Sequence, residues 1–151
     1  MRRRHLAAIA FLTMGVLALA GAVAAAEGGR PFSTTLTGAA EAPGPGDPDA
    51  SGFAAFRLNQ GQGTVCFDLS WEDVDGVVFA AHIHEAPAGV PGPIVVPLFA
   101  GSFGGTDSLS GCASGVDPDL IKDIRQDPAA YYVNVHSLPS FGPGAIRGQL
   151  G

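Results

Sequence analysis

Basic residues are scarce in this chain of 151 residues. There is a single lysine, and three of the arginines stand together at Arg2–Arg4. After residue 26 only five basic residues remain against fourteen acidic ones, which gives this part of the chain a net charge of −9. Such an acidic surface repels polyanions, so neither nucleic acid nor an anionic membrane is expected as a partner.

Long apolar runs are also missing beyond the N-terminal segment. The basic Arg2–Arg4 precede an apolar stretch, and Ala24 and Ala26 then supply the small-x-small pattern that signal peptidase recognises. This arrangement is typical of a secretory signal peptide over residues 1–26. An uncleaved membrane anchor is the alternative, but the alanine-rich end favours cleavage. We therefore expect an exported protein, secreted or held in the periplasm or cell envelope, with a mature domain of residues 27–151 that has no membrane attachment.

Cysteine is limited to Cys66 and Cys112. Two cysteines in an exported protein most simply form one structural disulfide. Two free buried thiols or a redox pair are the alternatives, although the sequence has no CxxC motif. A bridge would enclose 45 residues and, on the chain-entropy model, stabilise the fold by about 4 kcal/mol.

Glycine and proline, in contrast, are frequent, and they separate short runs of alternating apolar and polar residues, the pattern of β-strands. One helix is expected where Asp117 can cap the first turn and Pro118 can occupy it. An apolar stripe follows at Leu120, Ile121 and Ile124. The predicted strands are Pro31–Gly38, Phe53–Asn59, Thr64–Trp71, Val77–His84, Pro93–Phe99, Ser108–Gly115, Tyr131–His136 and Ala145–Leu150. Many short strands with one short helix predict an all-β fold, an antiparallel β-sandwich or Greek-key barrel.

Histidine is rare as well, and the three histidines after residue 26 all lie near the ends of predicted strands. His82 and His84 are two positions apart in one strand, so their side chains share a face. Ile83 between them is the apolar residue suited to the core. We therefore expect both histidines on the outer face of the strand.

The third histidine, His136, ends the predicted strand Tyr131–His136. In that strand Val133 and Val135 share the face suited to the core. Asn134 and His136 share the opposite face. If the two histidine strands are neighbours, His136 can approach the pair on the earlier strand.

Three imidazoles that converge on one point form a ligand set for one copper or zinc ion, with room for water or a carboxylate. Neutral imidazole is available near pH 7 because its ordinary pKa is about 6.5. The alternative is that His82, His84 and His136 are ordinary side chains hydrogen-bonded to the backbone. The serines show no nucleophile-elbow context, so no catalytic residue is predicted.

The loop after the histidine pair consists largely of alanine, proline and glycine. Pro87, Pro91 and Pro93 each fix φ and remove a backbone donor. We expect Gly89 and Gly92 to let this loop fold tightly, because glycine tolerates a positive φ that strains alanine.

Two long motifs carry a family resemblance. The segments AHIHEAPAGVPGPIVVPL and YYVNVHSLPSFGPGAIRGQL, together with FSTTLTGAAEAP, GFAAFRL, VCFDLSW and the positions of Cys66 and Cys112, resemble the CHRD domain. The resemblance covers essentially the whole of residues 27–151. It implies a β-sandwich of immunoglobulin-like or superoxide-dismutase-like kind and a small exported protein, and it implies no particular activity.

A second resemblance, to copper/zinc superoxide dismutase, is limited to the histidine strands. In that family an HxH pair and a later strand histidine hold copper on the outside of an antiparallel barrel, and His82, His84 and His136 match these roles. The chain has no candidate for the bridging histidine or for the remaining zinc histidines, so the resemblance implies at most a copper-only site. Arg147 could stand in, at a different spacing, for the arginine that guides superoxide.

The sequence thus favours an exported, non-enzymatic CHRD module that binds a ligand. In its most specific form the hypothesis is one divalent ion, copper rather than zinc, held by three histidines. Asn134 and Arg147 are expected to support these ligands or to face a substrate. The alternatives are a copper-only redox enzyme similar to superoxide dismutase, and a purely structural or interaction module with an extracellular protein as partner.

Overall fold

The structure, a computed structural model, describes residues 30–151. The predicted signal peptide lies outside the described residues. One α-helix, α1, covers Pro118–Gln126, and two short 3-10 helices cover Gly38–Ala40 and Pro128–Ala130. The strands are β1 Arg30–Thr37, β2 Ser51–Asn59, β3 Thr64–Glu72, β4 Val77–Glu85, β5 Ile94–Ala100, β6 Ser108–Ser114, β7 Tyr131–Leu138 and β8 Phe141–Gln149.

All of these strands belong to one sheet in the order β5-β4-β7-β8-β1-β2-β3-β6, and every pairing is antiparallel. The first and last strands of this order, β5 and β6, contact each other. Phe99 of β5 packs against Phe67 and Trp71 of β3, with ring centroids 6.0 and 6.1 Å apart. The sheet therefore curls into a nearly closed barrel, and the predicted all-β antiparallel fold with one short helix is confirmed.

Local sequence signals determine the hairpin and the helix. The turn between β2 and β3 contains Gly63 at φ 61, a left-handed conformation that favours glycine. Asp117 caps α1 by accepting a hydrogen bond from the backbone N–H of Asp119 at 2.9 Å. Ile121 and Ile124 of the predicted apolar stripe are completely buried. No helix in the described residues is long and apolar enough to span a membrane.

The last strand begins earlier than the sequence indicates. Glycine and proline in residues 138–144 predict a long turn before Ala145, yet β8 starts at Phe141. Gly144 suits this strand because a Cβ atom there would lie 2.5 Å from a carboxylate oxygen of Glu41. The prediction was wrong at this boundary because a tertiary contact, rather than a turn, requires the glycine.

The two cysteines lie directly opposite each other on β3 and β6. Cys66 and Cys112 form a disulfide, as predicted from their number. In the described sheet β6 is hydrogen-bonded to β3 alone among the strands. The disulfide therefore joins the edge strand β6 to β3, the strand to which it is hydrogen-bonded.

Candidate metal centre

Three histidines come together on two adjacent strands, β4 and β7. In the register of this pair, His82 lies opposite Asn134, and His136 lies opposite Ala80. The intervening Ile83, like the alternate residues of β7, is completely buried in the core. The histidines therefore project from the opposite face of the sheet, where the alternation of the sequence places them.

The imidazole rings form one cluster. One ring nitrogen from each of His82, His84 and His136 lies within 4.8 Å of the other two. Nδ1 of His82 is 3.1 Å from Nε2 of His136. The ring centroid of His82 lies 4.9 Å from the centroid of His136 and 5.7 Å from the centroid of His84.

This outer face is not open to solvent. His84 and His136 are each only 7% exposed, and His82 is partly buried. Residues 86–93, here called the covering loop, are held beside the cluster by hydrogen bonds from side chains of β8. Arg147 donates hydrogen bonds to the carbonyl oxygens of Pro87 and Val90, both at 2.9 Å. Gln149 donates to the carbonyl oxygen of Ala86 at 2.7 Å.

Hydrogen bonds to carbonyl groups determine the tautomers of two rings. Nδ1 of His84 donates to the carbonyl oxygen of Gly92, and Nδ1 of His136 donates to that of Gly142, both at 2.9 Å. A carbonyl oxygen can only accept, so each Nδ1 carries the proton and each Nε2 of a neutral ring carries a lone pair. Nε2 of His84 is buried and has no hydrogen-bond partner within residues 30–151.

Burial keeps the three rings neutral. Desolvation, with smaller contributions from the rings of His136 and His84, lowers the pKa of His82 from 6.5 to about 4. Burial also lowers the pKa of His84, and the nearby charge of Arg147 acts in the same direction. The pKa of His136 is lowered mainly by burial. Near pH 7 the cluster is thus a set of uncharged nitrogen donors.

Asn134 lies within the cluster, beside His136. Its Oδ1 atom is 2.9 Å from Nε2 of His136, and its side chain is buried. An amide oxygen and an unprotonated ring nitrogen both carry lone pairs and therefore repel each other. A cation shared by these atoms removes the repulsion, as does a turn of the amide that presents its NH₂ group to the ring.

Arg147 reaches the cluster only through an aromatic ring. Its Cζ atom lies 3.3 Å from the ring centroid of Tyr132. Tyr132 in turn stacks on His84, with centroids 4.7 Å apart and an angle of 9° between the planes. Arg147 is 1% exposed, and its guanidinium donates to carbonyl groups of the covering loop. The geometry makes it a support for the loop and for the Tyr132 ring rather than a group that faces solvent.

Glu41 and Tyr132 are neighbours of the cluster that the sequence analysis did not single out. Burial raises the pKa of Glu41 to about 7, although hydrogen bonds from Ala42 and Asn134 and the charge of Arg147 oppose this rise. Glu41 comes from the long loop between β1 and β2. No spacing rule connects that loop with β7, so the sequence carries no signal for the contact. Tyr132, in contrast, shares a strand face with His136 and could have been found by alternation.

The fold and the cluster together define a class: a small antiparallel β domain with a covered histidine site and a binding or interaction role. Comparison with family models assigns it more closely, because the model of the CHRD domain matches residues 32–150. The chain belongs to the CHRD domain family. Comparisons with curated proteins and with solved structures find no match.

Proposed function

We propose that this protein is an exported CHRD domain that binds one divalent metal ion, copper in preference to zinc, through His82, His84 and His136. One observation carries the proposal. One ring nitrogen from each of the three histidines and the amide oxygen of Asn134 come together at one partly buried point. Converging lone pairs in a desolvated site favour a bound cation.

The surroundings of the rings fit metal ligation. Histidine ligands in proteins usually donate their second ring N–H to a carbonyl or carboxylate group, which orients the ring. His84 and His136 have this arrangement, with Gly92 and Gly142 as acceptors. Ligand nitrogens lie about 2.0–2.1 Å from zinc, so nitrogens within 4.8 Å of one another need only a small inward rotation to share an ion of this size.

The donor set favours copper. All three protein ligands are imidazole nitrogens, which suit both copper and zinc. Among divalent ions, affinity for a given nitrogen site is greatest for Cu²⁺ in the Irving–Williams order. His82 is the most exposed of the three rings, so a water or carboxylate that completes the coordination would enter on its side.

Calorimetric titration of metal-free protein with Cu²⁺ and with Zn²⁺ tests the proposal. We expect one ion per chain and tighter binding of Cu²⁺. Alanine at His82, His84 or His136 should weaken binding more than about 100-fold, since changes in residues that merely support ligands already cost about 10–100-fold. Double variants should add little further loss. The affinity should fall as the pH decreases, because protons compete for the rings, and lowered pKa values should carry binding below pH 6.5.

Asp68→Asn serves as the matched control, since Asp68 is an exposed carboxylate on another strand. It should bind copper like the wild type. Thermal melting of each metal-free variant separates loss of ligand from loss of fold. Copper binding that is absent, or that is equal in the wild type and all three histidine variants, would reject the metal site.

Export is part of the proposal, and two observations support it. The disulfide between Cys66 and Cys112 fits an oxidising compartment, and the N-terminal pattern resembles a signal peptide. Mass spectrometry of protein recovered from outside the cytoplasm should find a chain that begins at Glu27. An intact chain that begins at Met1 in the same fraction would contradict cleavage.

A redox enzyme remains the rival hypothesis, and the geometry gives it little support. Superoxide is an anion, and the nearby Arg147 is buried and donates to the covering loop. No free cation is therefore available beside the described cluster to attract it. We expect copper-loaded protein, freed of unbound copper, to show no superoxide turnover above that of the metal-free protein, and a clear excess would favour the enzyme.

A further inference from the structure

Basic side chains gather at a second place, on elements that contribute no histidine to the cluster. Arg30 of β1 and two residues of α1, Lys122 and Arg125, line one open cavity of about 500 Å³. They are three of the five basic residues that follow residue 26. The full lining consists of Arg30, Gln60, Asp119, Lys122, Arg125 and Gln126.

These cations are not neutralised by ion pairs. The described residues contain one ion pair, between Arg57 and Asp68, and neither of these residues lines the cavity. Arg30 instead donates to the main-chain carbonyl oxygen of Arg125 at 2.6 Å, and its guanidinium lies 5.0 Å from the ring centroid of Phe32. These contacts hold the Arg30 side chain beside α1, and neither of them involves a carboxylate.

Arg125 has an unused donor. One of its terminal nitrogens approaches Oε1 of Gln60 at 3.4 Å. Its Nε atom is buried and has no hydrogen-bond partner among the described residues. A buried donor without an acceptor is unfavourable, and a shift of the Arg125 side chain toward the cavity would let an anion oxygen supply the acceptor. This observation is independent of the charge count.

From these features we infer that the cavity binds a small molecule bearing a phosphate or sulfate group. Guanidinium and ammonium groups form short, charge-assisted hydrogen bonds with such oxygens. At physiological ionic strength charges more than about 8 Å apart are largely screened, and within the cavity lining the three cations outnumber the single carboxylate of Asp119. The volume lies within the range of about 300–1,000 Å³ that is usual for small-ligand sites.

The acidic remainder of the surface limits the size of the ligand. Asp119 also lines the cavity, and a long polyanion would extend beyond the cations onto an acidic surface. A compact phosphate or sulfate ester avoids this repulsion. The group could belong to a soluble molecule or to a lipid headgroup, and the experiment distinguishes these two sources.

Titration of metal-free protein with inorganic phosphate and with sulfate, in a low-salt chloride buffer and followed by NMR, tests the inference. Both anions should bind saturably and compete with each other. Lys122→Gln and Arg125→Gln should each weaken binding about tenfold or more, as expected for a lost charged hydrogen bond. Arg57→Gln removes the same charge at an exposed position that does not line the cavity, and it should leave binding unchanged. Lys122 is exposed, so its variant should melt like the wild type.

Vesicles identify the source of the group. Binding of phosphate together with no binding to phosphatidylglycerol vesicles indicates a soluble ligand. Vesicle binding that Lys122→Gln abolishes and Arg57→Gln preserves indicates a headgroup. The inference fails if neither anion saturates, or if Arg57→Gln weakens binding as much as Lys122→Gln. His136→Ala should bind phosphate normally, which separates this site from the proposed metal site.

Discussion

Strands β3 and β7 differ in the burial of the face that points away from the core. Both direct alternate residues into the core. In β3 the other face is open, and Asp68, Ser70 and Glu72 are exposed. In β7 every residue from Tyr131 to Ser137 is buried, on both faces of the strand.

The covering loop and its neighbours account for the difference. Polar groups on β3 are solvated, whereas those on β7 must find partners within the protein. His136 donates to the carbonyl oxygen of Gly142, and its Nε2 atom lies 3.1 Å from Nδ1 of His82. The low-dielectric environment also lowers histidine pKa values, so the buried face acquires a ligand chemistry that the open face does not have.

Removal of the disulfide should give the largest change on the β3 side. The double variant Cys66→Ser/Cys112→Ser should lose about 4 kcal/mol in the free energy of unfolding, because the unfolded chain regains loop entropy. Copper affinity should stay unchanged, since the cluster lies on other strands. Urea unfolding and copper titration measure the two quantities. Equal losses of stability and of affinity would show that the two regions are coupled.

Substitution of Arg147 and of Arg57 compares the effect of losing a buried arginine with that of losing an exposed one. Arg147→Met should cost about 3 kcal/mol or more, because hydrogen bonds from its guanidinium to the covering loop are lost and buried acceptors are left unpaired. Arg57→Met should cost less than about 1 kcal/mol, since its ion pair with Asp68 is more than half exposed. Urea unfolding of both variants gives these values. Similar losses in the free energy of unfolding for the two variants would contradict a stabilising role for the covering loop.

The two glycines of the covering loop should differ for separate physical reasons. A Cβ atom at Gly92 would lie 2.1 Å from the main-chain oxygen of Glu85, so Gly92→Ala should cost about 2 kcal/mol. Gly89 has open space around it but φ 75, so Gly89→Ala should cost about 1 kcal/mol. Thermal unfolding ranks the variants. If Gly89→Ala were the more destabilising variant, the positive φ of Gly89 would constrain the loop more than the contact of Gly92 with Glu85.

Glu41 and His82 should give opposite, smaller pH effects on stability. The folded-state pKa of Glu41 is raised from 4.5 to about 7, so its contribution to stability is complete below pH 4.5 and is lost as the pH rises through 7. The folded-state pKa of His82 is lowered from 6.5 to about 4, so its contribution is complete above pH 6.5 and is lost as the pH falls through 4.

Because these two slopes oppose each other, Glu41→Gln should make the stability of metal-free protein fall more steeply as the pH is lowered from 7 to about 4.5. Urea unfolding at several pH values measures the slope. Asp68→Asn is the control, as Asp68 is exposed on the open face. An unchanged slope in Glu41→Gln would mean that Glu41 titrates like an ordinary surface carboxyl.

Much of the architecture could be predicted because its causes are local. Alternation in β3 and β4, the cap at Asp117 and the position of turn-forming glycines each act over a few residues. The side on which His82 and His84 project also follows from alternation alone. The start of β8 could not be predicted, since Gly144 is required by a contact with Glu41 from a distant loop.

By itself, the sequence determined the all-β class, the pairing of Cys66 with Cys112 as the sole cysteines, and the shared face of the histidines. Only the tertiary structure decided that β7 lies between β4 and β8, which brings His136 to the pair. It also decided that the covering loop lies against His84, which is buried, and that Arg30 lies beside α1. The physical reason is range: strand alternation and capping depend on neighbours in the chain, whereas desolvation and converging charges depend on segments that meet only after folding.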